Sequence, residues 1–539
     1  MRAVQLAVLA ASAAPTVSAK YVWPAQNDFI EDLLAIQSGY INFGFTDTVT
    51  PCGFGSNTPG QQTAAEWVRT AFRDAITHDK SAGTGGLDAS IIYEATKDKR
   101  PAFNNTFASM ADFVNPHASA ADMIALAFVS SIASCGGPRV PLRTGRIDAT
   151  AAGPSGVPRP HDTLDSMTSA FARAGFSTSD MIAMVACGHT LGGVHSVDFP
   201  SIAGGEVSAT NVPKFDRTGD RFDTAVVDEY LDGNGVNPLV FGHNDTTNSD
   251  KRVFGADGNV TMTALRDPTT FSTTCADILG RMIDAVPAAV TLSDPVELVD
   301  VKPYVERFEL ADSSSKNTLA FEGRIRLRIT NRNAATADDI CVALNVLTRN
   351  GDKRTVAPAL RARGTSQGFF GEAFAWYEFA TELDAAAGVK AFDIELTNTG
   401  AADETYDNAG TGGYPVSDAL LFAASQSCLD SSGVNDGHNA TATVRAAVRQ
   451  DLDEAGSKPV VKLARKIQQG VVLPRLEVEA VPMEKTVSRG GYVFYTAEMQ
   501  LEPAGMSTTF DIELPTKDGT VVSKLHRTGK LSTGACPAL

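Results

Sequence analysis

The stretch DMIAMVACGHTLGG, residues 180–193, decides the reading of the N-terminal half. It reads as an apolar helix that ends in His189, one of only eight histidines in 539 residues. Taken alone, a histidine in that place is more often a packed or capping residue than a ligand. Outward from it, from about Phe29 to Ile283, apolar residues recur at helical spacing, as in Ala64-Ala65, Trp67-Val68 and Ala71-Phe72, with loops rich in Gly, Pro and Asp between them. That half is expected to be mainly α. After about Pro295 the period falls to two, as in RIRLRI at 324–329, LEVE at 476–479 and FDIEL at both 392–396 and 510–514. The second half is expected to be all-β and sandwich-like.

At this length two to four domains are expected. The divisions are a signal peptide at 1–19, a helical domain at 20–290, a first β-module at 291–432, and at 433–539 a helical insertion (about Ala440 to Gln468) with a second β-module. The repeated FDIEL fits two related modules or a coincidence of amphipathic strands. With 46 basic against 63 acidic residues the net charge is -17, which argues against nucleic acid and anionic lipid as partners. Arg2, the apolar run to Ala14 and the small residues ending at Ala19 have the organisation of a secretory signal, so cleavage after Ala19, a secreted protein and no membrane anchor are expected. Seven cysteines without a CxxC pair fit an oxidising compartment, and sequons at Asn104, Asn244, Asn259 and Asn439 are candidate glycan sites.

The surroundings of His189 change its reading. Upstream stand Trp67-Val68-Arg69, Phe72-Arg73-Asp74, then Gly85-Gly86-Leu87-Asp88-Ala89-Ser90, Gly137-Pro138 and Thr144-Gly145-Arg146. Downstream stand Phe215-Asp216-Arg217-Thr218, Arg221-Phe222-Asp223 and Asn248-Ser249-Asp250. In order and spacing this series resembles the plant and fungal haem peroxidase superfamily, and within it the secreted fungal branch, over about residues 28–285. The resemblance implies haem b and two Ca²⁺ as cofactors. It makes His189 the proximal iron ligand, Asp250 the carboxylate behind it, and Phe72 and Phe215 aromatic neighbours of the cofactor. It assigns one Ca²⁺ to Thr190, Asp216, Thr218, Asp223 and the Arg221 carbonyl, and the other to Asp74, Asp88, Ser90 and the Gly86 carbonyl, sets rich in the hard oxygens that Ca²⁺ takes. It also implies a Cys52–Cys135 bridge. Cys275 matches a half-cystine whose partner lies further on, for which Cys341 is the choice, and Cys187 is left as a buried thiol.

The distal signature is broken. Where the family has its acid–base histidine, four residues after Arg69, this chain has Arg73. A guanidinium does not accept a proton at neutral pH, and losing general acid–base help typically costs ~10²–10⁴ in rate. Arg69 and Arg73 remain suited to stabilising negative charge on a leaving oxygen. His78, nine residues after Arg69, is the one candidate for a displaced base, and Asn104 approximates the asparagine that orients the family's histidine. Of the three carboxylates used by manganese-oxidising members, the matching positions hold Gln62, Glu66 and His195, which disfavours that substrate. Neither Trp67 nor Trp23 offers a persuasive electron-transfer site. The resulting expectation is a haem peroxidase reducing hydrogen peroxide at the expense of small organic donors. The alternative is a non-catalytic haem-binding protein whose β-modules bind wall glycan or a protein partner.

Overall fold

A computed structural model of the chain describes residues 21–53, 58–98, 101–311, 317–330, 332, 337–398, 402–453 and 458–537. The expected signal segment, 1–19, lies outside the described residues. The helical half runs through α1 (Asp28–Ala35), α2 (Thr63–Ala75), α3 (Ile91–Asp98), α4 (Pro101–Met110), α5 (Ala120–Ser134), α6 (Leu164–Ala174), α7 (Thr178–Gly188), α8 (Pro200–Ala203), α9 (Ala225–Leu231), α10 (Ser249–Phe254), α11 (Val260–Leu265) and α12 (Pro268–Ile283). Its centre is α5, whose AADMIALAFVSSIAS is buried almost throughout, as a helix apolar on all sides must be. The two helices that carry the candidate residues pack differently: α2 lies mainly on α5 and α4 and also meets α12, whereas α7 lies on α12, α10, α11 and α6. No helix among the described residues is long and apolar enough to cross a membrane.

The β half is two sandwiches of largely antiparallel strands, in keeping with the period-two patterning. The short β1 (Ser38–Gly39), from the helical half, edges the first sheet, followed by β2 (Val301–Leu310), β3 (Thr318–Arg328), β4 (Ile340–Leu347), β5 (Lys353–Val356), β6 (Ala359–Gln367), β7 (Ala373–Asp384), β8 (Ala391–Asn398), β9 (Glu404–Tyr406) and β10 (Tyr414–Pro415). They form the sheets β1-β6-β7-β3-β2 and β10-β8-β4-β5, with β9 on β8. Phe321, Ile325 and Tyr377 of one sheet meet Leu344, Phe392 and Ile394 of the other in a common core.

The second sandwich takes β11 (Leu420–Phe422), β12 (Cys428–Asp430), β13 (Ala440–Arg449), β14 (Val460–Ile467), β15 (Arg475–Pro482), β16 (Glu484–Arg489), β17 (Tyr492–Leu501), β18 (Thr509–Thr516), β19 (Gly519–Arg527) and β20 (Ser532–Thr533). Its sheets are β16-β17-β13-β12-β20, with β11 on β13, and β15-β14-β18-β19. Two expectations are corrected here. The segment Ala440 to Gln468, expected as a helical insertion, carries instead the strands β13 and β14, one in each sheet, because Ala442, Val444 and Ala446 fill the inside of the sandwich and tertiary packing overrides an alanine-rich propensity. The division expected at 432/433 also falls inside this sandwich, since β11 and β12 pair with β13.

The halves are locked together by buried charge. Lys302 of β2 donates to Glu31 at 2.9 Å and to Asp32 at 2.8 Å on α1, and Arg326 of β3 pairs with both carboxylates. Burial disfavours charge at Glu31, yet Arg326 and Lys302 outweigh it and hold the carboxyl down at about 2. The β14–β15 hairpin adds a second contact: Leu473 at its tip is buried in the helical core, flanked by Val471 and Leu476, and Tyr93 of α3 donates to Gln469 at 3.4 Å. Lys466 faces Asp112 at 3.6 Å, and the His117 ring lies 2.8 Å from an Asp511 carboxylate oxygen.

Candidate active site

The helix carrying His189 is fixed at its start by a capping box: Asp180 N–H donates to the Ser177 hydroxyl at 3.1 Å, and Ser177 N–H donates to the Asp180 carboxylate at 2.9 Å. His189 caps the other end, donating its backbone N–H to the Val185 carbonyl at 2.8 Å. Its Nδ1 lies 2.7 Å from Asp250 Oδ2, and its ring stacks on Phe215 with centroids 4.2 Å apart and planes 9° apart. Asp250 is buried on α10, where Asn237 also donates to Oδ2 at 3.0 Å and the Ser249 hydroxyl donates to Oδ1 at 3.1 Å. A carboxylate accepting from Nδ1–H leaves the lone pair on Nε2, the tautomer that binds a metal.

The Asp216–Asp223 loop gathers every residue expected there. The Thr190 hydroxyl donates to the Asp223 carbonyl at 2.8 Å and reaches the Arg221 carbonyl at 3.4 Å, while the Thr218 hydroxyl donates to Asp223 Oδ1 at 3.0 Å. Asp216 accepts the Thr218 N–H at 2.8 Å on Oδ1, but its buried Oδ2 has no hydrogen-bond partner among the described residues. Burial, and then the charges of Asp223 and Glu229, push the Asp216 carboxyl up to about 7.

A matching loop follows α2. Asp74, at the end of that helix, accepts from the backbone N–H of Asp88 at 3.0 Å, Ala89 at 2.6 Å and Ile91 at 2.9 Å, and from the Ser90 hydroxyl at 3.2 Å. Burial and the neighbouring Asp88 push its carboxyl up to about 8. The backbone bends tightly at Gly86, with φ of +104°, where a Cβ would sit 2.3 Å from the Ala285 carbonyl oxygen. Among the described residues no group of three or more His, Cys, Asp or Glu side chains is assembled to hold a metal. Each loop instead mixes two carboxylates with hydroxyl and carbonyl oxygens, a donor set that suits a hard cation.

On α2 the two arginines share one aromatic ring: the guanidinium carbons of Arg69 and Arg73 lie 5.1 Å and 5.6 Å from the centre of Phe103. Phe72 faces Phe171 of α6 at 6.0 Å. His78 is not brought to them. It follows the end of α2, about 9 Å of helix rise beyond Arg69, and its Nδ1 sits 3.2 Å from the Gly85 carbonyl oxygen. Asn104 is half-buried on α4. Glu66 and His195 share a neighbourhood with Arg69 and Asp198. Burial pushes Glu66 up to about 7 and the His195 ring below its usual value. Gln62 turns away to donate to the Gly219 carbonyl at 3.0 Å.

Three contacts escape sequence reasoning. Glu94 of α3 lies 3.3 Å from the Arg73 guanidinium, Asn237 supports Asp250, and Asp198 joins Glu66 and His195. Only the Asn237-Pro238 turn left a local signal. The disulfides need one correction. Cys52–Cys135 forms as expected, but Cys187 pairs with Cys275, Cys428 pairs with Cys536, and Cys341 is the exposed free thiol. Cys187 and Cys275 are fully buried where α7 crosses α12, with Cα atoms 5.6 Å apart, whereas Cys341 lies on β4 of the first sandwich.

A family model described as peroxidase matches residues 56–264. The chain is 34% identical to a WSC domain-containing protein of Arthroderma benhamiae, over 98% of this chain and 71% of the relative. It is 35% identical to manganese peroxidase 3 of Phlebia radiata, over 30% of this chain and 45% of that protein. It is 33% identical to putative L-ascorbate peroxidase 6 of Arabidopsis thaliana, over 24% and 41% respectively, so these two peroxidases are each matched over less than half their length. The helical fold, the ordered motifs and these matches place the helical half of the chain in the plant and fungal haem peroxidase superfamily.

Proposed function

We propose that this chain is an exported haem peroxidase-like oxidoreductase that reduces hydrogen peroxide at the expense of small organic donors. The observation that carries the reading is the 2.7 Å contact between His189 Nδ1 and the buried Asp250 carboxylate, with Phe215 stacked on the ring. His189 Nε2 would hold the iron of haem b, and Asp250, itself oriented by Asn237, would fix the tautomer and enrich the imidazole in electron density. Bound haem supplies the redox centre through which electrons pass from donors to peroxide. Phe72 and Phe215 would give apolar walls, and Arg69 and Arg73 would stabilise negative charge on a departing oxygen. The unpartnered Asp216 Oδ2 and the raised carboxyls of Asp216 and Asp74 support a Ca²⁺ in each loop, tying the helices on both sides of the site. Export is supported by three disulfides and by the N-terminal pattern.

A second reading draws on Arg73 in the family's base position. In it the helical domain binds haem without turnover, and the β half grips wall glycan or a protein partner. The relative named for a WSC domain matches almost the whole of this chain, so the β half belongs to either reading. Titrating haem-loaded protein with stoichiometric hydrogen peroxide, then adding a phenolic donor, separates the two. Turnover predicts a Soret band that changes with peroxide and returns with donor. A Soret band indifferent to peroxide leaves the second reading.

A further inference from the structure

Hydrogen peroxide gives up a proton before its O–O bond breaks, and the departing oxygen must take one to leave as water. Arg73 is no acceptor, and His78 is held beyond the end of α2 by the Gly85 carbonyl. The fold supplies a carboxylate instead. Helix α3 returns beside α2 and sets Glu94 Oε2 3.3 Å from Arg73 Nη2, while Arg73 and Arg69 lie against the Phe103 ring. The Arg73 and Glu94 side chains are 18% and 24% exposed. That sets them apart from structural pairs such as Arg146 with Asp122, exposed by 0% and 6%, which are sealed in the core. A carboxylate held by one cation and still reachable keeps free lone pairs for a proton.

We propose that Glu94 is the proton acceptor and donor for hydrogen peroxide in this chain, with Arg73 holding its carboxylate in place. The inference rests on the haem peroxidase reading above. One proton passes from hydrogen peroxide to Glu94, leaving a hydroperoxide anion and a carboxylic acid. The same proton is returned to the oxygen that departs, so Glu94 ends as the carboxylate. Full reduction to two waters takes two further protons from solvent and two electrons from the small organic donors. Glu66 is the rival carboxylate, but it accepts from Gln61 at 3.0 Å, lies in the field of Asp198, and stands seven residues before Arg73 on α2.

Cyanide tests this without turnover. Hydrogen cyanide must also lose its proton to bind ferric haem as the anion, so its association rate reports the same acceptor. In the haem-loaded full chain, Glu94→Gln is expected to slow both cyanide association and the peroxide-induced spectral change by ~10²-fold or more. Glu94→Asp should recover most of the loss, and an Arg73→His, Glu94→Gln double variant should recover it by restoring an imidazole. A Glu94→Gln protein with its Soret band intact and wild-type cyanide and peroxide rates overturns the inference alone. So does a loss that follows Glu66→Gln instead. A wild-type chain that takes up no haem removes the proposed function and this inference together.

Discussion

Chelating divalent cations should destabilise the helical domain in a pH-dependent way, because two buried carboxyls are held above their ordinary range when no cation faces them. Asp74 is raised from 3.8 to about 8 and Asp216 from 3.8 to about 7, each mainly by burial and then by neighbouring acids. A carboxyl with a raised folded-state value binds its proton more tightly folded than unfolded, so its contribution is full below pH 3.8 and is lost as pH rises through the folded value. The window runs from pH 3.8 to about 8 for Asp74 and to about 7 for Asp216. At ~1.4 kcal/mol per unit the penalty at the top of the window is on the order of 5 kcal/mol for Asp74 and 4 kcal/mol for Asp216. That is comparable with the whole stability of a domain, ~5–15 kcal/mol. Thermal unfolding, followed through the helical circular dichroism signal at pH 4.5 and pH 7.5 with either EDTA or millimolar Ca²⁺, reads the effect. Ca²⁺ should raise the midpoint at pH 7.5 by ten degrees or more and do little at pH 4.5. Equal midpoints with and without Ca²⁺ at pH 7.5 would refute the assignment of both loops.

Three further outcomes follow from the packing. Lys302→Met leaves Glu31 and Asp32 with one buried cation fewer and should cost ~3–5 kcal/mol in urea unfolding; adding Glu31→Gln should recover part of it, and a loss under 1 kcal/mol would contradict the lock. Cys275→Ser opens a bridge spanning 88 residues and should cost ~2–5 kcal/mol, whereas Cys341→Ser should be silent, with thiol counting of the unfolded wild type returning one free group. Leu473→Asp puts a charge into the helical core and should release the β14–β15 hairpin, seen as faster proteolysis near residues 468–474; unchanged cleavage would mean that the tip does not anchor the sandwich.

What the sequence discloses divides by range. Periodicity separates the helical half from the β half because both patterns are written in adjacent residues, whereas the pairing of His189 with Asp250 is implied only through the family resemblance that the motifs around His189 carry. The Cys187–Cys275 bridge was not legible: which side of α7 meets α12 is a property of packing, and Cys341 was equally available on paper. The strands β13 and β14 read as helix in the sequence because Ala, Arg and Gln carry helical propensity, while burial between two sheets is decided elsewhere in the chain. Glu94 stayed hidden for a related reason. Its meaning comes only from α3 folding back onto α2, which no local pattern announces.

Uptake of ferric haem by the wild type and by His189→Ala tests most directly whether His189 is an iron ligand. The wild type should give a Soret band with a five-coordinate ferric spectrum, His189→Ala should lose it, and free imidazole should restore it by filling the space beside Asp250 and Phe215. A His189→Ala protein that binds haem with an unaltered spectrum would contradict the assignment.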